Sequence, residues 1–364
     1  MRARVLGLLA VSLVLLALPS PAPAMQVAAA PAQPGAGWYL AIVDHGPRGE
    51  YGIEPTRQHL VLIAPDGSRR TLLSRRADGA RGVQLVDWSP DGATALLLSG
   101  REGRQRAIAV DVASGGTTTM RVPRDAASVV LAPDGSGLLV AAFGDRSGEP
   151  MSLVAWDGTT TDLQTRMNAA VLRSPGGDTL LTNGPSWRSR LMRVLSATDG
   201  SVVRRIPVGG HCRPVRWWDA RRALVTCDGD LALLSPETGR LVRLTDRHDG
   251  RIGDLGHLDA RRIDSGLYVQ VAGPCGYEFL GRRRHDGGVS ALRVPGAVGD
   301  VRLLGATAER LVIQHAQSCD GGAPRSVIAR FDPVTSRERV LVRLGRSAGF
   351  GAILGYGEVR PLGY

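Results

Sequence analysis

Residues 83–99 read VQLVDWSPDGATALLLS and place two apolar runs on either side of a Ser-Pro-Asp-Gly segment. Proline fixes φ at the first turn position, and Asp-Gly suits a tight reversal, so the stretch predicts a β-hairpin. The same arrangement occurs at residues 131–135 (LAPDG) and 173–177 (RSPGG), and a related turn occurs at 64–67 (APDG). The chain therefore contains repeated hairpins.

These hairpins belong to a series with a regular period. Weaker forms of the turn are predicted at residues 219–221, 259–261 and 305–307. Equivalent positions then recur every 40 to 46 residues, at Trp88, Leu131, Arg173, Trp218, Leu258 and Leu304. The first unit contains four short strands, at 83–88, 93–99, 106–112 and 117–122. A period of about 40–45 residues with four strands per unit is typical of a β-propeller blade.

The number of blades follows from the strands that remain outside the complete units. Six units are predicted within residues 83–343, with three strands before them (38–43, 59–63 and 70–73) and one after them (350–354). One strand plus three makes a seventh blade that joins the two chain ends and removes two free sheet edges. We therefore expect an all-β, seven-bladed propeller over residues 38–356 and a tail at 357–364. A six-bladed ring with an irregular N-terminal extension is the alternative.

The N-terminal segment predicts export. Arg2 and Arg4 precede an apolar run at residues 5–18, and Ala22-Pro23-Ala24 fits a small-x-small cleavage site. Residues 1–24 are therefore predicted to be a signal peptide and residues 25–37 a flexible leader. An uncleaved membrane anchor is the alternative, although the run is short for a spanning helix. After cleavage we expect no stable membrane insertion and a location outside the cell or in the cell envelope.

An exported chain with four cysteines is expected to form disulfides. Cys212 precedes the first strand of one unit and Cys227 follows the second strand, so the two face each other across a predicted hairpin. We therefore expect a Cys212–Cys227 bridge within one blade. The remaining pair, Cys275 and Cys319, would then join two neighbouring blades.

Two motifs, at residues 88–92 and 131–135, are each followed by an apolar run. In these motifs the sequence resembles the TolB-like, or WD40-like, β-propeller repeat family of exported bacterial proteins. The period covers most of the chain, whereas the motif itself is kept in two or three units. The resemblance implies an exported propeller that binds protein or glycan. The motif marks the fold and says nothing about activity.

The net charge of +11 indicates which partners to expect. A basic surface attracts anionic polymers, although a compositional bias toward arginine would give the same charge. All 45 basic residues are arginine, and no block of five like charges occurs, so we expect no nucleic-acid partner. The predicted partner of a monomeric chain is a protein or an anionic envelope polymer.

Two catalytic motifs, His-Glu-x-x-His and Walker A, do not occur in the sequence. We predict no catalytic residue, metal or cofactor. Loops on the cysteine-bearing face of a propeller converge on an axial funnel. The candidate binding residues in these loops are Asp44, His45, His211, His248 and Asp249.

Two functions follow from these candidates. The first is a non-catalytic propeller that binds a protein or an envelope polymer. The five polar residues then either line the funnel or are solvent-exposed loop residues without a binding role. The alternative is a propeller enzyme, such as a lactonase, a lyase or a glycan hydrolase, with its site in the funnel. An enzyme needs convergent acid–base groups there, and the sequence shows no clear pair.

Overall fold

The structure is a computed structural model. It describes residues 34–49, 52–77, 82–101, 103–142, 149–167, 171–184, 189–246, 253–274, 277–319 and 322–356. The regular elements in these ranges are strands, numbered β1–β30 in chain order. Within the same ranges no helix is long and apolar enough to cross a membrane. The predicted signal peptide, most of the leader and the tail lie outside the described residues.

The strands form seven antiparallel sheets of four strands and one short hairpin. The N-terminal strands are β1 (Tyr39–His45), the hairpin strands β2 (Arg48–Gly49) and β3 (Gly52–Ile53), β4 (Arg57–Ile63) and β5 (Arg69–Arg76). Blade 2 consists of β6 (Val83–Trp88), β7 (Thr94–Ser99), β8 (Arg106–Asp111) and β9 (Thr117–Arg121). Blade 3 consists of β10 (Ala126–Leu131), β11 (Gly137–Ala142), β12 (Glu149–Ala155) and β13 (Thr160–Met167).

The remaining blades repeat this order from the innermost strand outward. Blade 4 consists of β14 (Val171–Arg173), β15 (Thr179–Asn183), β16 (Leu191–Ser196) and β17 (Val202–Pro207). Blade 5 consists of β18 (Cys212–Trp217), β19 (Ala223–Cys227), β20 (Asp230–Leu234) and β21 (Leu241–Arg243). Blade 6 consists of β22 (Gly256–Ile263), β23 (Gly266–Ala272), β24 (Glu278–Arg283) and β25 (Val289–Ala291). Blade 7 consists of β26 (Ala297–Ala306), β27 (Leu311–Cys319), β28 (Gly322–Asp332) and β29 (Arg337–Arg343), and β30 (Ala348–Gly355) follows.

Blade 1 closes the ring by joining the two ends of the chain. Its strand order is β30-β1-β4-β5, so the C-terminal strand is the innermost strand of a sheet whose other strands are N-terminal. Leu40 pairs with Leu354, and Ala41 pairs with Ile353. The six complete units occupy residues 83–343, as predicted. The all-β, seven-bladed prediction with one-plus-three closure is confirmed, and the six-bladed alternative is wrong.

The predicted turns of blades 6 and 7 lie at the wrong positions. Strand β22 runs on through residues 259–261 to Ile263, which pairs with Gly266 across the true turn. Likewise β26 continues to Ala306, and the turn follows at residues 307–310. The carboxylate of Asp259 binds the guanidinium of Arg216 in blade 5 instead of closing a turn.

The blades pack on one another through apolar side chains from both faces of each sheet. In β7, Leu97 belongs to the apolar cluster shared by blades 1 and 2, whereas Leu96 belongs to the cluster shared by blades 2 and 3. Because both faces are buried, the strand is a continuous apolar run rather than an alternating one. Burial of one such leucine stabilises the fold by roughly 1.5–3 kcal/mol.

The Ser-Pro-Asp-Gly segment forms its turn through the aspartate side chain. Asp91 Oδ1 accepts hydrogen bonds from Ser89 Oγ (2.6 Å) and from the backbone N–H of Ala93 (3.0 Å). The Ser89 hydrogen bond lowers the pKa of Asp91. Gly92 then adopts a φ of 74°, a conformation that glycine reaches without steric cost.

The predicted bridge between Cys212 and Cys227 is confirmed. The two residues are direct partners in the register of β18 and β19, and Cys212 is buried. Cys275 lies outside the described residues, as does the side chain of Cys319. The Cys275–Cys319 bridge therefore stays a prediction.

Replacing both bridged residues, Cys212→Ala with Cys227→Ala, is expected to lower the free energy of unfolding by about 3 kcal/mol. The bridge closes a short loop, since the cysteines are 15 residues apart, and it restricts the unfolded chain. Urea unfolding under non-reducing conditions measures the difference. If the free energies of unfolding of the double variant and the parent differed by less than about 0.5 kcal/mol, the effect of a neutral surface substitution, this expectation would be contradicted.

Candidate functional site

The ring has two faces, which we name from the innermost strands. The start face is where these strands begin, and it carries Cys212 of β18 and Ala348 of β30. The end face is where they end, and it carries the Ser-Pro-Asp-Gly turns. Of the predicted funnel residues, Asp44, His45 and His211 belong to the start face, because β1 ends and β18 begins there.

Asp44 and His45 lie side by side at the end of β1. Gln58 Nε2 donates a hydrogen bond to Asp44 Oδ1 (2.7 Å), and burial raises the pKa of Asp44. The ring of His45 packs edge-on against the ring of His59, with centroids 4.9 Å apart. Burial and the neighbouring His45 lower the pKa of His59. The described partners of His45 thus lie within blade 1.

His211 lies in a different part of the ring, just before β18 of blade 5. It lines a pocket of about 300 Å³ between blades 5 and 6, together with Arg213 and Asp228. Its backbone N–H donates to Asp228 Oδ1 (3.2 Å). Among the described residues His211 makes no hydrogen bond or ion pair with Asp44 or His45. His248 and Asp249 lie outside the described residues, so the five-residue funnel stays a prediction.

The same pocket contains a buried histidine that the sequence analysis did not single out. His257 Nδ1 lies 2.8 Å from Thr245 Oγ1, and Nε2 lies 3.0 Å from Asp254 Oδ2. The backbone N–H of His257 donates to the carbonyl of Gly229 (2.8 Å) in blade 5. Both ring nitrogens are therefore engaged in joining blade 6 to the segment that precedes it, which is a structural role.

The end face carries a second pocket, of about 360 Å³, which we call the axial cup. Its walls come from the inner-strand ends of four consecutive blades, 5, 6, 7 and 1, so it lies at the axis of the ring. The larger side chains that line it are Trp38, Tyr39, Arg216, Trp218, Arg261, Arg262 and Tyr356. The cup therefore combines three guanidinium groups with four aromatic rings.

Ionic and cation–π contacts join the charged side chains of the cup to their neighbours. Asp259 lies behind the arginines, with Oδ1 2.8 Å from Arg216 Nε and Oδ2 3.4 Å from Arg261 Nη2. The guanidinium carbon of Arg216 is 5.1 Å from the centre of the Trp218 ring, within the range of a cation–π contact. Arg262 is exposed to solvent at the edge of the cup. Asp259 thus lies beside two of the three arginines of the cup.

The two adjacent tryptophans at the end of β18 have separate roles. The side chain of Trp218 lines the cup. Trp217 Nε1 instead donates to the backbone carbonyl of Arg173 in blade 4 and so joins two blades. The sequence signal for this pocket is that arginines cluster at the ends of two successive inner strands, β18 and β22.

A glycine in blade 7 makes room for one wall of the cup. A Cβ atom added at Gly305 would lie 2.6 Å from Tyr39 Oη, which is too close for any real Cβ contact. The phenol of Tyr39 therefore reaches the cup only because residue 305 has no side chain.

A larger cleft, of about 590 Å³, lies on the end face between the turns of blades 2 to 4. It is lined by Trp156 and by three carboxylates, those of Asp91, Asp111 and Asp134. Each carboxylate accepts a hydrogen bond from a serine hydroxyl of its own turn, at 2.6, 2.6 and 2.7 Å respectively. These hydrogen bonds lower the pKa values of all three. The carboxylates therefore stabilise the turns that carry them.

No cluster of three or more His, Cys, Asp or Glu side chains placed to hold a metal ion is found in the described ranges.

No family model and no curated protein matches the sequence. Solved structures do match. One is a prolyl endopeptidase, with a TM-score of 0.55 and 12% sequence identity. The match covers 86% of this chain and 50% of the endopeptidase, so this chain spans about half the length of that protein. Another is a proposed 6-phosphogluconolactonase from Bacteroides uniformis, with a TM-score of 0.51 and 13% identity; the match covers 86% of this chain and 99% of the other. A third is TolB from Acinetobacter baumannii, with a TM-score of 0.40 and 12% identity; the match covers 82% of this chain and 78% of TolB.

At identities this low, the first two likenesses show the β-propeller fold alone. They carry no activity over to this chain, since one propeller architecture serves many functions. The resemblance to the TolB-like repeat family stays a prediction.

Proposed function

We propose that this protein is an extracytoplasmic propeller that binds an anionic polymer of the cell envelope at the axial cup, without chemical turnover. The observation that carries the proposal is the convergence of Arg216, Arg261 and Arg262 at the end of the ring axis. Arginine keeps its charge at every physiological pH and binds carboxylate or phosphate groups through its planar fork of donors.

The composition of the cup supports binding over catalysis. Among the described residues that line it there is no His, Cys, Ser, Asp or Glu. Acid–base and nucleophilic catalysis depend mainly on those side chains, whereas arginines and aromatic rings hold a ligand in place. The net charge of +11 adds a long-range attraction for polyanions. The Cys212–Cys227 bridge supports an oxidising compartment.

We expect Arg262→Ala to weaken binding of poly(glycerol phosphate) by at least about tenfold, because one charge-assisted hydrogen bond contributes roughly 1.5–3 kcal/mol. Tryptophan fluorescence measures binding, since two of the six tryptophans, Trp38 and Trp218, line the cup. Arg339→Ala, on the exposed outer strand β29, removes the same charge far from the cup and is the matched control. Equal affinities for the two variants would show that the cup is not the site.

The enzymatic alternative is favoured by one observation on the start face. Asp44 is partly buried, and burial raises its pKa, which is the direction expected of a carboxyl group that acts as a general acid. An assay of lactone hydrolysis distinguishes the two proposals. We expect no turnover from the parent protein, and turnover that is lost in Asp44→Asn would replace the binding proposal with the enzymatic one.

A further inference from the structure

The start face carries two pairs of opposed arginines at the outer tips of blades 1 and 2. Arg57 begins β4, and its direct partner across the strands is Arg76, the last residue of β5. In blade 2, Arg106 begins β8 and pairs in the same way with Arg121 at the end of β9. All four residues are exposed. Directly opposed side chains lie on one face of the sheet with Cβ atoms about 4.5–5.5 Å apart, so each pair brings two positive charges together.

Neither pair is neutralised by a carboxylate of the described chain. The side chains of the four arginines form no hydrogen bond or ion pair with any described residue. Arg101, Arg104 and Arg124 are exposed in the adjoining loops of the same face. Glu54 and Asp125, which flank these arginines in sequence, form no ion pair with them. Like charges directly opposite each other destabilise a sheet, and a bound anion would offset that cost.

Opposed arginines elsewhere in the ring do have protein partners. In blade 7, Arg330 lies opposite Arg339, but Arg330 Nη2 donates to the backbone carbonyl of Pro65 (2.9 Å). In blade 4, Arg193 lies opposite Arg205, but Arg193 is buried. The exposed pairs whose charges are free to bind an external anion are thus those at the start-face tips of blades 1 and 2, within the described ranges.

Exposed apolar side chains lie on the same face in blades 6 and 7. Leu255 and Tyr277 in blade 6 are 66% and 59% exposed, and Val298 in blade 7 is 42% exposed. Leu255 N donates to the carbonyl of Ala272 (2.8 Å), and Gly273 N donates to the carbonyl of Tyr277 (2.6 Å). Leu255 and Tyr277 therefore flank the end of β23, and Val298 lies at the beginning of β26.

The apolar and the basic tips occupy consecutive blades, because closure of the ring places blade 7 beside blade 1. The start face therefore presents apolar side chains over blades 6 and 7 and arginines over blades 1 and 2. A soluble polyanion satisfies the arginines alone. An anionic lipid bilayer offers phosphate groups and an apolar layer beneath them, and it is broad enough to contact four blades at once. Tyrosine is enriched at such interfaces because its ring is apolar and its hydroxyl is polar.

We propose that the start face docks on an anionic lipid bilayer. The two arginine pairs bind lipid phosphate groups, and the apolar side chains of blades 6 and 7 lie at the boundary between headgroups and acyl chains. Binding of this peripheral kind grows with the buried apolar area and with the attraction between basic residues and anionic lipids. The proposal does not depend on the axial cup, which lies on the opposite face and would point away from the bilayer.

The test uses co-sedimentation with vesicles of phosphatidylglycerol and phosphatidylcholine mixed one part to three. We expect the parent protein to bind these vesicles at least tenfold more tightly than vesicles of phosphatidylcholine alone, and to bind less tightly as salt is added. Arg57→Gln with Arg106→Gln removes one arginine from each pair and should weaken binding at least tenfold, since each arginine near an anionic surface contributes roughly fivefold. Both changes relieve a like-charge contact, so the fold should be kept.

Two further variants separate docking from net charge. Arg337→Gln with Arg339→Gln removes the same charge from the end-face half of β29 and should bind vesicles like the parent. Leu255→Ser with Tyr277→Ser keeps the charge and should weaken vesicle binding severalfold without changing its dependence on salt. Equal losses in the two arginine variants would overturn the proposal, because binding would then follow net charge alone.

A second ligand separates this proposal from the proposed function of the cup. Arg262→Ala should leave vesicle binding unchanged, and Arg57→Gln with Arg106→Gln should leave binding of poly(glycerol phosphate) within twofold of the parent. A parent protein that binds the polymer but not the anionic vesicles would overturn docking and keep the cup. Vesicle binding without polymer binding would overturn the cup and keep docking. If the arginine pairs were needed for the polymer and vesicles did not bind, the start face would be a polymer site and lipid docking would be wrong.

Discussion

A chain that ends at Gly345, and therefore lacks β30, is expected to lose cooperative unfolding. The missing strand is the innermost strand of blade 1 and pairs with β1 along most of its length. Leu354 is buried in the cluster shared with blade 2, and Ile353 in the cluster shared with blade 7. Each contributes roughly 1.5–3 kcal/mol by burial alone, and a domain has only about 5–15 kcal/mol in total.

The matched comparison is a chain that ends at Tyr356 and keeps the whole of β30. Thermal unfolding followed by circular dichroism should give a sharp transition for this longer chain and a broad one for the shorter chain. A synthetic peptide of residues 346–356, added to the shorter chain, is expected to restore part of the transition. Identical melting curves for the two chains would mean that the ring does not depend on closure by its C-terminal strand.

The sequence contains enough information for the architecture because a propeller is built from local units. Each blade is a meander of four consecutive strands, so the period of apolar runs and turns locates the strands without any long-range contact. Even the closure of blade 1 follows by counting, since the unpaired strands number three at one end and one at the other. The strands at 38–43 and 350–354 were thus predictable partners although they lie far apart in the chain.

Turn positions were less predictable where they depend on contacts between blades. Asp259 followed by Ala260 resembles the turn formed by Asp219 and Ala220. The structure uses Asp259 for a contact with Arg216, 43 residues earlier, while β22 continues to Ile263. A local pattern carries no information about such a partner.

The axial cup was not predictable for a related reason. Its lining comes from the inner-strand ends of four blades and from residues 36–39, which are distant in sequence. Each arginine of the cup, taken alone, resembles any solvated arginine in a chain with 45 of them. Only the packing of blade 6 on blade 5 brings Arg216 close to Arg261 and Arg262.

Asp87→Ala is expected to lower the free energy of unfolding by about 3–5 kcal/mol, because it leaves the buried charge of Arg173, 2.8 Å from the carboxylate, without its partner. The same change removes the acceptor of two backbone N–H groups, those of Leu131 and Trp88, each 2.8 Å from the carboxylate. Buried donors without partners add to the loss. Urea unfolding gives the magnitude, and Arg222→Ala, which breaks the exposed pair with Asp219, should cost no more than about 1 kcal/mol.

A double-mutant cycle separates the pair from its surroundings. Asp87→Leu with Arg173→Met replaces both charges with apolar groups, and it should be more stable than Asp87→Leu alone, because no buried charge is left unpaired. A loss for Asp87→Ala as small as that for Arg222→Ala would show that the pair is not needed for stability.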